Sequence, residues 1–224
     1  MANKLKHLAL VLDGNRRFAK KLMKKPWEGH NSGAETVEKL LDWVKEFGIK
    51  ELTLYSLSTE NLKRDKKEVE YLLKLMKKYF NKLKNDARIN NDKVKIKIIG
   101  KLDLLPKDMQ ELCREIEEKT KNHNNFKINF CIAYGGRLEL LEAIKKLKDV
   151  KNITEQDITD SLWLKSEPDL IIRTGNVVRT SNFLPWQSVY SEWIFMDKLW
   201  PEFNKQDLQF CLEEFKNRKR NFGK

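Results

Sequence analysis

An apolar run over residues 8–12 leads straight into Asp13-Gly14-Asn15-Arg16-Arg17. An acid, a glycine, an amide and two guanidinium groups at the end of a strand are the ingredients of an anion site. In open α/β sheets, ligands gather beyond the carboxyl ends of the strands. Gly14 permits a close backbone approach, and Arg16 and Arg17 supply fixed positive charge in a planar fork that matches phosphate oxygens. One carboxylate among bases suggests a metal ion bridging Asp13 to a phosphate. The chemistry implied is that of diphosphates.

Four further polar clusters adjoin apolar runs. Ser58-Thr59-Glu60-Asn61 follows the run that ends at Leu57, with Arg64 close behind. Tyr134-Gly135-Gly136-Arg137 places paired glycines at a strand-to-helix turn. Arg173-Thr174-Gly175 and then Arg179-Thr180-Ser181-Asn182 follow the run 170–172, and Glu192 precedes the last apolar run. Each alone fits ordinary turn chemistry, since Gly, Asn, Ser and Asp are the usual turn residues. Their common position at strand ends argues for one site, on which Arg16, Arg17, Arg64, Arg173 and Arg179 converge to hold phosphate oxygens. The plainer reading of each arginine is a surface ion pair, which contributes little.

Other chemistries lack their residues. Neither a Walker A sequence nor GxGxxG is present, so nucleotide binding by those routes is unsupported. Ser32 stands fourth, not third, in Gly29-His30-Asn31-Ser32-Gly33, which rules out a nucleophile elbow. His7, His30 and His123 are too scattered for a zinc site. His30 is read as a loop histidine, notable only for its closeness to the first cluster.

The elements that must position these residues alternate. Short strand-like runs occur at 5–12, 51–57, 94–99, 126–134, 170–173 and 193–195. Between them lie amphipathic segments such as Val69, Leu72, Leu73, Met76, Tyr79, Phe80 and Leu83, spaced for one helix face. Helix starts are expected at Asp65, at Pro106-Lys107-Asp108 and at Thr154-Glu155-Gln156-Asp157, each with early acids. Such alternation predicts an α/β fold, a mostly parallel sheet with helices on both sides. With no Pro/Gly/Ser-rich linker and no internal repeat, residues 1–224 read as a single domain.

Composition narrows the setting. A chain of 224 residues can bury roughly 70% of the surface its unfolded form would expose. No run approaches the roughly 18 apolar residues of a membrane span, and the N-terminus lacks the shape of a signal peptide, which together suggest a cytoplasmic protein. Cys113, Cys131 and Cys211 are odd in number and widely spaced, as expected of reduced, mostly buried thiols. The net charge of +12 fits a solvated lysine-rich surface, and also fits nucleic acid, an anionic membrane or a polyanionic substrate.

These motifs, in this order, resemble the cis-prenyltransferases, most closely the bacterial undecaprenyl diphosphate synthases of the di-trans,poly-cis type. The resemblance runs from His7 through Asn15, Gly29-His30, Leu52-Thr53-Leu54-Tyr55, Ser58 to Asn61 and Ile98-Ile99-Gly100. It continues in Tyr134 to Arg137, Asp169 to Gly175, Arg179 to Phe183, Trp186-Gln187 and Leu199-Trp200-Pro201. It implies an enzyme that adds isopentenyl diphosphate units, with cis double bonds, to an allylic primer, typically farnesyl diphosphate. The product would be a long-chain polyprenyl, undecaprenyl-like diphosphate, the precursor of a lipid carrier for cell-wall polysaccharide. The fold implied is a six-stranded sheet with surrounding helices, enclosing an apolar tunnel, in a homodimer.

The same resemblance assigns roles. Asp13 would be the essential acid that positions Mg²⁺ at the diphosphates, and Glu192 the second metal-site acid. Gly14, Asn15, Arg16, Arg17, Phe18 and His30 fall where the allylic diphosphate is held; Arg173, Arg179, Thr180 and Ser181 fall in the isopentenyl diphosphate site. Ser58, Thr59, Glu60, Asn61 and Arg64 match a segment that orders over the substrates, with Asn61 assisting proton removal. For Val69, Leu72, Leu73, Met76 and Phe80, as for Trp186 and Trp193, burial in the core is the default, and a tunnel lining is the option the resemblance adds. No DDxxD motif of the trans-prenyltransferases is present.

The chain also departs from that family. Arg16 stands where Gly is common, Phe18 for Trp, Pro26 for an Arg, Leu62 for an aromatic and Ala133 for Asn. Asn176-Val177-Val178 replaces Gly-Glu-His, and Asn221-Phe222-Gly223 replaces Arg-x-Gly. Asp13, Arg173, Arg179 and Glu192 remain, so an active enzyme is expected and not a non-catalytic partner subunit. No nucleic-acid motif appears, and the lysine-rich surface suggests peripheral contact with an anionic membrane.

Overall fold

The computed structural model describes residues 5–147 and 151–219. In chain order its elements are β1 (His7–Val11), α1 (Asn15–Lys21), α2 (Gly29–Glu46), β2 (Glu51–Ser58), α3 (Lys66–Asn85), α4 (Ala87–Asn91) and β3 (Val94–Ile99). There follow α5 (Lys107–Thr120), β4 (Phe126–Tyr134), α6 (Gly136–Ile144), α7 (Glu155–Ser161), β5 (Leu170–Arg173), β6 (Glu192–Phe195) and α8 (Lys205–Asn217). The departure at 221–223 lies outside the described residues.

One six-stranded sheet has the order β3-β4-β2-β1-β5-β6, and every pairing is parallel. Parallel strands covered by helices on both faces are buried on both sides, which is why β1 and β5 read as unbroken apolar runs. Leu8 and Leu10 face one layer with Leu40, Val44, Leu208 and Phe215. Ala9, Val11 and Ile171 face the other, with Leu164, Phe183 and Leu184. Each fully buried leucine contributes about 1.5–3 kcal/mol of transfer free energy.

The helix signals act where the sequence puts them. Asp65 caps α3, its carboxylate accepting from Lys67 N and Glu68 N, and Thr154 forms a capping box with Asp157 at α7. Pro106 precedes α5. Two expectations are corrected. His30 belongs to the first turn of α2 and not to a loop, and Glu192 is the first residue of β6, in register with Leu170.

The order of the strands positions the site. From β1 the chain moves one way to β2, and β5 later returns on the opposite flank of β1. The crevice at this reversal, beyond the carboxyl ends of the strands, is where open sheets bind ligands. Val11 pairs with both Tyr55 and Arg173 across it.

Candidate active site

Asp13, two residues past β1, is held by two guanidinium groups. Arg173 Nη2 donates to its Oδ2 at 2.8 Å and Arg17 Nη2 to its Oδ1 at 3.0 Å. Its backbone carbonyl accepts from Thr174 Oγ1 at 2.8 Å and from Trp200 N at 3.0 Å. Arg17 also donates to Gly175 O, which ties the loops after β1 and β5 together.

Arg173 is 5% exposed. Its Nη1 donates to Ser181 Oγ and to Arg179 O, each at 2.6 Å, so the fork is aimed by the loop 179–184. That loop is backbone-strained: Ser181, Asn182 and Leu184 have φ of 51°, 64° and 49°. Non-glycine residues in the left-handed region cost energy and collect at functional sites. Asn176, at φ 52°, takes the family's glycine position with a residue that tolerates this region.

A second cluster closes the opposite wall. Glu68 on α3 is 3% exposed, accepts from Arg64 Nη1 at 2.9 Å, and lies 3.7 Å from Arg16 Nε and 3.9 Å from His30 Nε2. Burial, reinforced by Arg64 and Arg16, pushes the His30 imidazole down to about 4, so it is neutral at physiological pH. Its Nε2 is buried without a hydrogen-bond partner, as are Asn15 Oδ1 and Arg173 Nε. Asn15 approaches α2 closely: a Cβ at Gly33 would lie 2.1 Å from its Oδ1 and one at Gly29 2.0 Å from its carbonyl oxygen. The glycine pair is therefore a packing requirement of this wall.

Ser58 and Asn61 bind each other reciprocally. Ser58 N donates to Asn61 Oδ1 at 3.3 Å and Asn61 N to Ser58 Oγ at 3.1 Å. Glu60 accepts from Asn182 Nδ2 at 3.1 Å and Thr59 Oγ1 at 3.2 Å. Its burial works to raise the carboxyl, but hydrogen bonds from its own backbone, Ser58, Asn182 and Thr59 outweigh it and hold the group below its ordinary value.

These side chains head a cavity of about 710 Å³ that runs between the sheet and helices α2 and α3. Asp13, Asn15, His30, Ser58, Glu60, Asn61, Arg64, Arg173, Arg179 and Ser181 all line it. Below them the wall turns apolar through Val37, Leu41, Leu72, Met76, Phe80 and Phe130. Thus Leu72, Met76 and Phe80 line the cavity as well as the core, whereas Val69, Leu73, Trp186 and Trp193 do not line it. Gly14, Arg16, Arg17, Phe18, Thr59 and Thr180 stand outside the lining; of these, Arg17 and Thr59 hold residues that belong to it, and Arg16 lies beside Glu68, which is itself outside it.

The structure does not bring Glu192 to this site. It starts β6 at the level of Leu170, three residues back from the Arg173 level, or roughly 10 Å along the strand. There it accepts from Arg218 Nη1 at 2.7 Å. The residue that sequence reasoning overlooked is Glu68, although its spacing of four from Arg64 on a helix was a signal.

The architecture and the motifs agree with known proteins. A family model described as "Putative undecaprenyl diphosphate synthase" matches residues 11–223. The chain belongs to the undecaprenyl diphosphate synthase family. A tritrans,polycis-undecaprenyl-diphosphate synthase (geranylgeranyl-diphosphate specific) of Pyrococcus abyssi is 43% identical over 98% of this chain and 87% of its own. One of the same description from Methanocaldococcus jannaschii is 42% identical over 98% and 82%. Among solved structures, lavandulyl diphosphate synthase from Lavandula x intermedia, in complex with dimethylallyl diphosphate, superposes with a TM-score of 0.93 at 29% identity, covering 98% of both chains. A "probable undecaprenyl diphosphate synthase" from Campylobacter jejuni gives 0.85 at 35% identity, over 99% of this chain and 100% of that one. The relatives of this synthase family at 42–43% identity thus carry tritrans, geranylgeranyl-specific names, where the sequence reading favoured a di-trans, farnesyl-primed enzyme.

Among the described residues no group of three or more His, Cys, Asp and Glu side chains could hold a metal ion. A single carboxylate, Asp13, facing a diphosphate is nonetheless how Mg²⁺ is often held, because it keeps its waters and takes phosphate oxygens as its other ligands. The donor set fits Mg²⁺ in that role, and Asp13 is the residue that would hold it.

Proposed function

We propose that this prenyltransferase condenses isopentenyl diphosphate units in cis onto an allylic diphosphate to give a long-chain polyprenyl diphosphate. The observation that carries the reading is the Asp13–Arg173 pair at the head of a cavity whose body is apolar. A charged head on an apolar body is the shape of a prenyl diphosphate. Mg²⁺ at Asp13 would neutralise diphosphate charge as the allylic C–O bond breaks.

The chain's own residues do the rest. Arg173, aimed by Ser181, and Arg179 hold the isopentenyl diphosphate, and Arg64, Arg16 and Arg17 supply positive charge where the leaving diphosphate develops its own. Asn15 and neutral His30 offer polar atoms at the allylic head group. The cavity walls orient the two carbons and exclude water, and orientation fixes which proton leaves and therefore the cis geometry. A carboxamide is too weak a base to keep that proton, so the proton passes to an oxygen of the departing diphosphate, and Asn61, tied to Ser58, orients the reacting groups.

The names of the relatives favour geranylgeranyl diphosphate over farnesyl diphosphate as primer. The product is then an undecaprenyl-type diphosphate, the precursor of a lipid carrier for cell-wall polysaccharide. A homodimer fits the sheet edge: β6 has no outer neighbour among the described residues, and Val189 beside it is 70% exposed. Glu192 would complete a metal site only across such an interface. The test is incorporation of radiolabelled isopentenyl diphosphate with Mg²⁺ onto each primer in parallel, resolving product length. Chain growth faster from geranylgeranyl diphosphate supports the whole reading; growth from farnesyl diphosphate alone corrects the primer; no polymer from either overturns it.

A further inference from the structure

Helix α1 ends in a Schellman turn whose left-handed position is filled by methionine. Lys24 N donates to Ala19 O at 2.9 Å and Met23 N to Lys20 O at 3.0 Å, with Met23 at φ 55°. Glycine is the usual occupant of this position, because a β-carbon there costs about 1 kcal/mol or more. Met23 recovers nothing by packing: it is 96% exposed, and its neighbour Leu22 is 46% exposed. Folding therefore gives no reason for a methionine at this position, beside a half-exposed leucine.

Its surroundings are basic. Between residues 14 and 27 the chain carries Arg16, Arg17, Lys20, Lys21, Lys24 and Lys25, and no acid. Lys21 reaches out of the segment to Glu202 at 2.6 Å, and Lys25 Nζ stands 5.8 Å from the Trp27 ring centre. No helix among the described residues is long and apolar enough to cross a membrane.

We propose that the Leu22-Met23 tip, ringed by Lys20, Lys24 and Lys25, docks this protein on an anionic lipid surface. A bilayer rewards both halves of the pattern: apolar side chains enter the acyl boundary while lysines meet the negative surface potential. A nucleic acid would reward the lysines and leave Met23 and Leu22 in water. The seven-residue α1 starts at Asn15, beside Asp13, so the tip lies only about 10 Å from the head of the cavity. Docking there would hold the cavity mouth near the phase into which a polyprenyl product partitions. The proposal rests on the prenyltransferase reading for that purpose alone, since lipid binding is measured without substrate and the two can fail separately.

The experiment is co-flotation of the full chain with phosphatidylcholine vesicles, with and without phosphatidylglycerol. Binding is expected only with the anionic lipid and is released by salt. Met23→Gly lowers partitioning about tenfold without lowering thermal stability, because glycine suits the left-handed turn. Lys20→Gln with Lys24→Gln lowers it roughly twentyfold. Both variants elongate isopentenyl diphosphate at the wild-type rate in detergent. Equal binding to neutral vesicles, no binding at all, or binding untouched by Met23→Gly would overturn the proposal. So would self-association that depends on Met23 in sedimentation velocity, which assigns the tip to a protein contact.

Discussion

Two polar clusters sit at opposite ends of the same sheet. At the amino ends of the strands, Glu51 accepts from Asn129 Nδ2 at 2.7 Å, Ser166 Oγ at 2.6 Å and Lys127 Nζ at 2.8 Å. His7 Nε2 lies 2.7 Å from Thr53 Oγ1 and 3.9 Å from Glu51. At the carboxyl ends, Asp13 meets Arg17 and Arg173. Both clusters contain buried atoms without partners, His7 Nδ1 and Asn129 Oδ1 in one, His30 Nε2 and Arg173 Nε in the other. Orphaned atoms therefore do not mark the site. What separates the two ends is room and sign of charge. Glu51 takes three donors of the protein itself on Oε1, whereas Asp13, Glu60 and Glu68 are outnumbered by Arg16, Arg17, Arg64, Arg173 and Arg179 around an open cavity. One end is built to hold the sheet, the other to receive an anion.

The largest effect expected from this contrast is kinetic. Asp13→Asn keeps the shape of the side chain and removes its charge; turnover should fall about a thousandfold with the circular dichroism spectrum unchanged. Steady-state incorporation of isopentenyl diphosphate measures it.

Two histidines sharpen the comparison next. Burial lowers the pKa of both, with His30 reaching about 4 as Arg64 and Arg16 add to it, while Glu51 opposes the shift at His7. A histidine whose pKa falls on folding binds fewer protons folded than unfolded. The native state therefore loses stability as pH drops from 6.5 towards about 4, by up to about 3 kcal/mol for His30. His30→Gln should flatten denaturation midpoints across that window. Inorganic pyrophosphate in the cavity should raise the His30 pKa by about one unit or more and leave His7 where it is, read by NMR titration. Equal movement of both would erase the distinction between the two ends.

Glu51→Gln reverses the pattern of Asp13. It keeps an acceptor at Oε1 but removes the charge from the three hydrogen bonds made there, costing about 2 kcal/mol of stability with kcat/KM unchanged; urea denaturation and the incorporation assay together check it.

The sequence made the strands and several caps readable because they rest on local rules. The runs at 94–99, 126–134 and 170–173 coincide with β3, β4 and β5: Leu170-Ile171-Ile172 is an unbroken stretch buried on both faces, while edge strand β3 alternates Val94, Ile96 and Ile98 with Lys95 and Lys97. The acids at Asp65 and Thr154-Glu155-Gln156-Asp157 start helices through their own side chains. Asp13 and Arg173 were legible for a related reason: each directly follows or ends an apolar run, and all parallel strands end on one side. Tertiary facts were not legible. Glu192 looked like another strand-end residue, but only the pairing of β6 with β5 shows that it lies at the far end of its strand. Gly29 and Gly33 suggested a loop, because nothing local announces that Asn15 needs their missing side chains. The stripe on α3 could not be divided between core and cavity, because one helical period serves both, and only Leu72, Met76 and Phe80 of the five face the open space.

The smallest effect tests strain at the two ends. Lys93, exposed and at φ 50° in the turn between α4 and β3, lies at the amino edge of the sheet, and Ser181, at φ 51°, lies at the carboxyl edge. The backbone demand is the same, and glycine relieves it in both places. Lys93→Gly should gain about 0.5–1 kcal/mol in thermal unfolding and leave kinetics untouched, because its side chain does no chemistry. Ser181→Gly relieves the same strain but removes a hydroxyl that accepts from Arg173 Nη1 at 2.6 Å. The freed guanidinium loses its aim, and the KM for isopentenyl diphosphate should rise about tenfold while stability changes little. If Lys93→Gly also slows turnover, strain at the amino edge is transmitted through the sheet, and the two ends are not the separate devices that their charge and their space indicate.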